Sequence, residues 1–186
     1  MFWNTKGPTH TDETVRVAVE AARQRSIDHL LLASNSGHTV RRLLQHDVSG
    51  LNLVCVTHHV GFRKPGEHEM TPESRQELAG QGVQLLTTTH ALAGVDRAAR
   101  VKFGGMYPPE IMAETLRMFG QGVKVCVEIG IMALDAGLIP FGEDVIAVGG
   151  TGTGADTACV ILPAHSTACF DLRVMDILCR PTPPVD

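Results

Sequence analysis

The chain has 186 residues, with 16 Lys plus Arg against 20 Asp plus Glu, 9 His and a formal net charge of −4 at neutral pH. Hydrophobic residues are 44% and charged residues 19%, the balance of a chain that buries a core and not of a disordered one. Binding to a nucleic-acid backbone wants a basic domain or stripe, and the longest basic cluster is only Arg97, Arg100 and Lys102, so no nucleic-acid partner is expected.

Met1–Asn4 reads as a short edge strand, stopped by Gly7-Pro8. Asp12–Arg25 places Val15, Val19 and Ala22 at helical spacing, with acids in its first turn and Arg23 and Arg25 in its last. His29–Ala33 is a continuous apolar strand, Thr39–His46 a short helix and Leu51–Thr57 a second apolar strand. Residues 58–71 are polar and carry Gly61, Pro65 and Gly66, so a long loop is expected. Thr71-Pro72 opens a helix, Thr as cap and Pro at the first helical position, and Gly80-Gln81-Gly82 closes it. Val83–Thr87 is a third strand, Ala91–Val101 a short helix and Pro108–Phe119 another.

Residues 123–139 are ambiguous at first sight. Val123–Ile129 alternates like a strand, but the apolar pattern runs on too long for one, and length favours a buried helix capped near Gly137. Asp144–Val148 and Thr157–Leu162 are further strands, and Phe170–Leu178 is a last, more exposed one. Strands alternating with helices predict an α/β fold: a single domain over residues 1–186, with a mainly parallel sheet between two helical layers and antiparallel additions at the C-terminus.

Five cysteines, odd in number, widely spread and without C-x-x-C spacing, predict a reduced cytoplasmic protein without a disulfide framework. No signal peptide and no transmembrane stretch are legible. The exposed last strand is an edge that wants covering, so a homo-oligomer is expected.

Three segments carry candidate chemistry. Ala33-Ser-Asn-Ser-Gly-His-Thr39 follows a buried strand and leads into a helix. Its hydroxyls and free amides suit an anion, whereas capping that helix needs only one of Ser34, Asn35, Ser36 and Thr39. Gly149-Gly-Thr-Gly-Thr-Gly154 lacks both the Walker A lysine and the dinucleotide-binding spacing, and no helix follows it. It offers either close backbone approach at Gly149, Gly150, Thr151 and Gly152 or a simple turn. Thr57-His58-His59-Val60-Gly61-Phe62 leaves the second strand. Adjacent histidines on extended chain point to opposite sides, so no metal site is expected there, and a ligand-lining loop stands beside a solvated one. Glu128, in an apolar run, and His165, after a strand, are acid–base candidates.

The order of these segments resembles the C-terminal α/β domain of pyruvate kinase. Leu30-Leu-Leu-Ala-Ser-Asn-Ser-Gly-His-Thr39 is similar to its strand and hydroxyl-x-Ser-Gly-x-Ser/Thr loop, and Asn52–Thr57 to its second strand. Val123–Gly149, with Phe141-Gly-Glu-Asp-Val-Ile-Ala-Val148, resembles its long helix and following strand, which supports the helical reading of 123–137. The likeness is closest to stand-alone, single-domain relatives. It implies a three-layer α/β/α sandwich of strand order 3-2-1-4-5. It also implies that a phosphate rests on Ser34, Ser36, Gly37 and Thr39, with His38 where the family often has Arg. The catalytic barrel has no counterpart here, so no phosphorylation of ADP is expected, and the stand-alone relatives imply FMN as cofactor.

Strand order 3-2-1-4-5 reverses between its first and fourth strands, and ligands of open α/β sheets bind outside the carboxyl ends at that reversal. The expected cofactor residues are therefore Ser34, Asn35, Ser36, Gly37, His38 and Thr39, then Thr57, His58, Gly61 and Phe62, then Gly149, Gly150, Thr151 and Gly152, with the phosphate on the first group. Phe62 is placed to pack on a flat ring. A small-molecule-binding domain for a phosphorylated ligand is the leading expectation. An FMN-dependent oxidoreductase and a regulatory or structural partner without cofactor are the alternatives.

Overall fold

In the computed structural model, which describes residues 1–182, seven strands form one sheet. The elements in chain order are β1 (Phe2–Trp3), α1 (Thr11–Arg25), β2 (His29–Ala33), α2 (His38–Leu43), β3 (Asn52–Thr57), α3 (Pro72–Gly80), β4 (Gln84–Thr87), α4 (Val95–Phe103), α5 (Pro108–Arg117), α6 (Gln121–Asp135), β5 (Val145–Gly149), β6 (Thr157–Leu162) and β7 (Arg173–Pro181). Across the sheet they run β1-β7-β6-β5-β2-β3-β4. Only β6 runs against the rest among the described strands.

The central strands are apolar on both faces because both are covered. Along β2, Leu30 and Leu32 point into one core and Leu31 into the other. The first core joins them to Val15, Ala18 and Val19 of α1, Val40 and Leu43 of α2, and Leu78 of α3. The second joins Leu31 to Cys126, Ile129, Met132 and Ala133 of α6. The sheet thus lies between two helical layers, the α/β/α arrangement expected of the alternating pattern. All five cysteines are free thiols. Burial pushes the Cys55 thiol up to about 12 and that of Cys179 up to about 11, so both remain neutral apolar fillers at physiological pH.

Residues 121–135 form a helix and not a strand. Twelve of its fifteen residues are buried, which is why its pattern has no polar stripe to mark a helical period. Two of its glycines face β6: a Cβ on Gly122 would stand 2.1 Å from Thr157 Oγ1, and one on Gly130 would stand 2.4 Å from Ile161 Cδ1. Thr71 caps α3 as expected, its Oγ1 accepting from Ser74 N at 3.3 Å.

Some boundaries differ from expectation. The helix expected over 91–101 spans Val95–Phe103, because residues 88–94 are held as a loop by contacts described below. The last strand starts at Arg173 and not Phe170, since Ser166–Asp171 forms a 3₁₀ turn. β7 is also not the outermost strand: Phe2 pairs with Arg180 and Trp3 with Pro181, so β1 covers its C-terminal end. No helix among the described residues is long and apolar enough to cross a membrane.

Candidate functional site

β2 and β5 are neighbours, and the chain leaves their carboxyl ends in opposite directions, from β2 to β3 and from β5 to β6. A cleft of about 1070 Å³ opens at that point. It lies just above the roughly 300–1,000 Å³ usual for small-molecule sites. The loop after β2, the long loop after β3, residues 90–93, α4, α5, α6 as far as Met132 and the glycine-rich loop all contribute to its walls.

Ser34 and Thr39 are buried in the cleft wall, and Ser36 and His38 are exposed on it. Part of the main chain here is committed: Ser34 N donates to Val56 O at 3.0 Å, Ser34 O accepts from Cys55 Sγ, and Ser36 O accepts from Arg41 Nη1 at 3.1 Å. Among the described residues, no protein group bonds the hydroxyls of Ser34, Ser36 or Thr39. Gly37 takes φ +82° to start α2, and a Cβ there would meet Arg41 Nη1 and Leu78 Cδ1, each at 3.0 Å. Gly37 therefore shapes the loop from behind and does not line the cleft. α2 has six residues, fewer than two turns, so what the loop offers an anion is local amides and hydroxyls more than a long dipole.

Asn35 ties the ends of β2 and β3 together. Its Oδ1 accepts from His58 N at 2.8 Å, which fixes the amide's orientation. Its Nδ2 then donates to His58 Nε2 at 3.1 Å, leaving the proton of the neutral ring on Nδ1 to donate to Glu69 Oε2 at 2.5 Å. Phe62 stacks on His58 with ring centroids 3.7 Å apart, and His90 lies 5.4 Å from Phe62. His59 does not point away from this group, as strand geometry would require. Its ring is 5.5 Å from both Phe62 and His90, because the strand ends at Thr57 and residues 58–60 turn. Thr57 Oγ1 lies 2.7 Å from Thr87 Oγ1 and is spent on holding β3 to β4.

The buried floor is an ion pair. Lys124 Nζ bonds Glu128 Oε2, one helical turn apart, while Glu128 Oε1 accepts from Leu92 N at 3.0 Å. Both oxygens of Glu128 are thus engaged, and the residue anchors the 88–94 loop that presents His90. Burial drives the His90 ring down to about 4, against an opposing pull from Glu128, so it is neutral at pH 7. His165 is elsewhere: its Nδ1 lies 2.9 Å from Asp135 Oδ1, at the end of α6 away from the cleft.

The glycine-rich segment is the connection of the β5–β6 hairpin, and Asp156 organises it. This fully buried carboxylate accepts from Gly7 N (2.9 Å), Thr151 N (3.2 Å) and Thr157 Oγ1 (2.8 Å). Ten of the expected residues line the cleft: Ser34, Asn35, Ser36, His38, Thr39, Thr57, His58, Phe62, Gly150 and Gly152. Gly37, Gly61, Gly149 and Thr151 do not. They sit one layer back, where Gly61 N donates to Glu67 O at 2.9 Å and Gly149 packs a few ångströms from α6. Residue patterns did not single out Arg63, His90, Arg117 and Lys124, which also line it together with Glu69 and Arg97. Arg97 belongs to the longest basic cluster of the chain, but nothing in the sequence places it in the same cleft as the Ser34–Thr39 loop. Among the described residues no three of His, Cys, Asp or Glu are grouped to hold a metal ion.

An open, mostly parallel sheet covered by helices on both faces, with a cleft at its strand reversal, places the chain in the α/β class. The profile of the family described as pyruvate kinase, alpha/beta domain, matches residues 12–161, and the chain belongs to that family. Among solved structures, a pyruvate kinase from Cryptosporidium parvum is 15% identical over 76% of this chain, with a TM-score of 0.40. The Cryptosporidium parvum pyruvate kinase in complex with ADP is also 15% identical, over 81% of this chain, with a TM-score of 0.43. The chain spans 20% and 23% of the length of those two proteins.

Proposed function

We propose that the cleft binds a phosphorylated small molecule, and that the molecule is FMN. The observation that carries this reading is the set of three hydroxyls, Ser34, Ser36 and Thr39, gathered on one loop at the strand reversal without a hydrogen-bond partner among the described residues. A phosphate is the ligand group that uses several donors at one point. Phe62, backed by His58, offers a flat apolar surface in the same cleft, and neutral His90 adds no charge beside it. FMN carries both a phosphate and a flat ring, it is the cofactor that the likeness to stand-alone relatives implies, and the cleft volume accommodates it. Ser34, Ser36 and Thr39 would hold the phosphate, and Phe62, Gly150 and Gly152 would face the ring or its side chain. When bound, FMN supplies a ring able to accept and return electrons. The protein's part is to orient it and exclude water. Glu128, bonded at both oxygens, is a positioning residue in this reading and not a proton carrier.

The test is a titration of the purified chain with FMN and with riboflavin, which lacks the phosphate. FMN is expected to bind the more tightly, and Thr39→Val, which keeps shape and removes one hydroxyl, to lose about tenfold for FMN alone. Equal affinity for the two flavins, or a Thr39→Val variant that binds FMN as the parent does, rejects the phosphate assignment. Gly37→Val is expected to weaken both flavins together, because its effect is strain at φ +82° and contact with Arg41 and Leu78, not a lost ligand contact.

A further inference from the structure

Five basic side chains line the cleft, and four of them already have a carboxylate partner there. Arg63 meets Glu69 at 2.8 Å, Arg100 meets Glu110 at 2.5 Å, Arg117 meets Glu114 at 2.5 Å, and Lys124 meets Glu128. Arg97 has no carboxylate partner among the described residues. Its chain neighbour Asp96 does not serve, because adjacent helical residues point apart and Asp96 Oδ1 accepts from Gly94 N at 2.8 Å. Arg97 is therefore the one basic side chain lining the cleft without an ion-pair partner among the described residues, while Asp96, which lines the same cleft, keeps its Oδ2 buried without a hydrogen-bond partner.

That cation is carried on an unusual support. α4 buries none of its residues, and Val95, Val101 and Phe103 are 85%, 79% and 75% exposed. Gly94 precedes it, and Gly104 and Gly105, both at positive φ (+76° and +86°), follow it. Little apolar surface is lost if α4 moves, and both its ends have chain able to turn.

We propose that Arg97 is a phosphate-binding residue of this cleft and that α4 closes over the bound ligand to deliver it. The inference rests on the reading of the cleft as a site for a phosphorylated ligand. The Ser34–Thr39 loop has donors but no unpaired charge of its own: Arg41, which reaches Ser36 O, is also bonded to Glu77 at 2.6 Å. A phosphate dianion gains from a guanidinium that arrives in addition to neutral donors, and it gains most where closure excludes water.

The experiment compares the full chain, Arg97→Gln and Lys102→Gln, the last a basic residue of the same helix that does not line the cleft. Each is titrated with FMN and riboflavin at low and at physiological salt, and each is digested briefly with trypsin with and without FMN. Arg97→Gln is expected to bind FMN about tenfold more weakly at low salt, with a flatter salt dependence and unchanged riboflavin affinity. Lys102→Gln is expected to follow the parent. FMN is expected to slow tryptic cleavage after Arg100 in the parent but not in Arg97→Gln. If the parent prefers FMN to riboflavin and Arg97→Gln does so equally, Arg97 is not the phosphate ligand. If FMN binds but leaves cleavage of α4 unchanged, closure is rejected. If the parent shows no preference for FMN, the reading of the cleft itself fails, a result separate from both.

Discussion

At the scale of single residues, burial decides the charge state of His90. An unperturbed histidine titrates near 6.5, and the cleft lowers this one to about 4, mainly through desolvation, with Glu128 pulling upward and His58, Lys124 and His59 downward. As pH falls, the unfolded chain takes up this proton first. The stabilisation tied to a neutral His90 is therefore complete above about pH 6.5 and is lost as pH falls toward 4. His90→Phe is expected to flatten that acid limb, removing up to one proton from the pH dependence of stability between those values. Urea midpoints measured across the range check it, and an unchanged slope contradicts it. The same residue escaped sequence reading because a histidine in a loop carries no periodic signal. What singles it out is the bond from Leu92 N to Glu128, 36 positions away, that presses its loop into the cleft.

At the scale of elements, the contact between α6 and β6 shows what a helix gives up to pack closely. Replacing Gly by Ala inside a helix gains about 1 kcal/mol of propensity, while overpacking a core costs about 1–3 kcal/mol. At Gly122 a Cβ meets the Cβ of Thr157 at 2.3 Å as well as its hydroxyl, and Thr157 is pinned by its bond to Asp156. At Gly130 the nearest atom is the end of the Ile161 side chain, which can rotate away. Gly122→Ala, with the closer and less yielding contact, is thus expected to be destabilised by up to about 2 kcal/mol net, and Gly130→Ala to lie within about 1 kcal/mol of the parent. Thermal unfolding resolves the difference, at about 2–4 °C per kcal/mol for a chain of this size. Equal midpoints for the two variants would contradict the packing argument. The apolar run of α6 was legible in the sequence and its length favoured a helix. Its glycines were not legible as packing devices, because their partner lies on a strand about 30 residues onward.

At the scale of the whole molecule, Asp156 joins parts of the chain that the sequence holds far apart. It accepts from Gly7 at the start of the chain and from Thr151 in the glycine-rich loop, while its main-chain oxygen accepts from Trp3 Nε1 at 2.7 Å. Ala155 N also donates to Thr11 Oγ1 at 3.0 Å, so the first turn of α1 is part of the same knot. Removing a buried acceptor leaves its donors unpaired. Asp156→Ala is expected to cost on the order of 3 kcal/mol, a fall of about 6–12 °C in Tm. It is also expected to speed hydrogen exchange at Gly7 and Thr151 before the strands β2 and β3 are affected. Retained protection at both amides would show that Asp156 does not hold the two segments together.

The sequence by itself determined the layers and most of the elements, because hydrophobic periodicity and turn residues act locally: a run such as Leu30–Leu32, apolar on both faces, demands cover on both, and Thr71-Pro72 starts a helix on its own chemistry. It also marked the hydroxyl loop at Ser34–Thr39, whose residue types crowd into six positions. Tertiary structure decided which groups meet. Asn35 and Thr57 were legible as polar residues at strand ends, but only strand pairing shows that both are bonded across the sheet. The turn after Thr57 sends His58 and His59 toward the same aromatic group, although extended-chain geometry would separate them. Of the ion pairs in the cleft, Arg117–Glu114 and Lys124–Glu128 lie within one helix and Arg63–Glu69 within one loop, whereas Arg100–Glu110 joins α4 to α5, and only the fold shows that Arg97 shares their cleft without an ion pair of its own among the described residues. Charge compensation depends on distance in space, and composition records only totals.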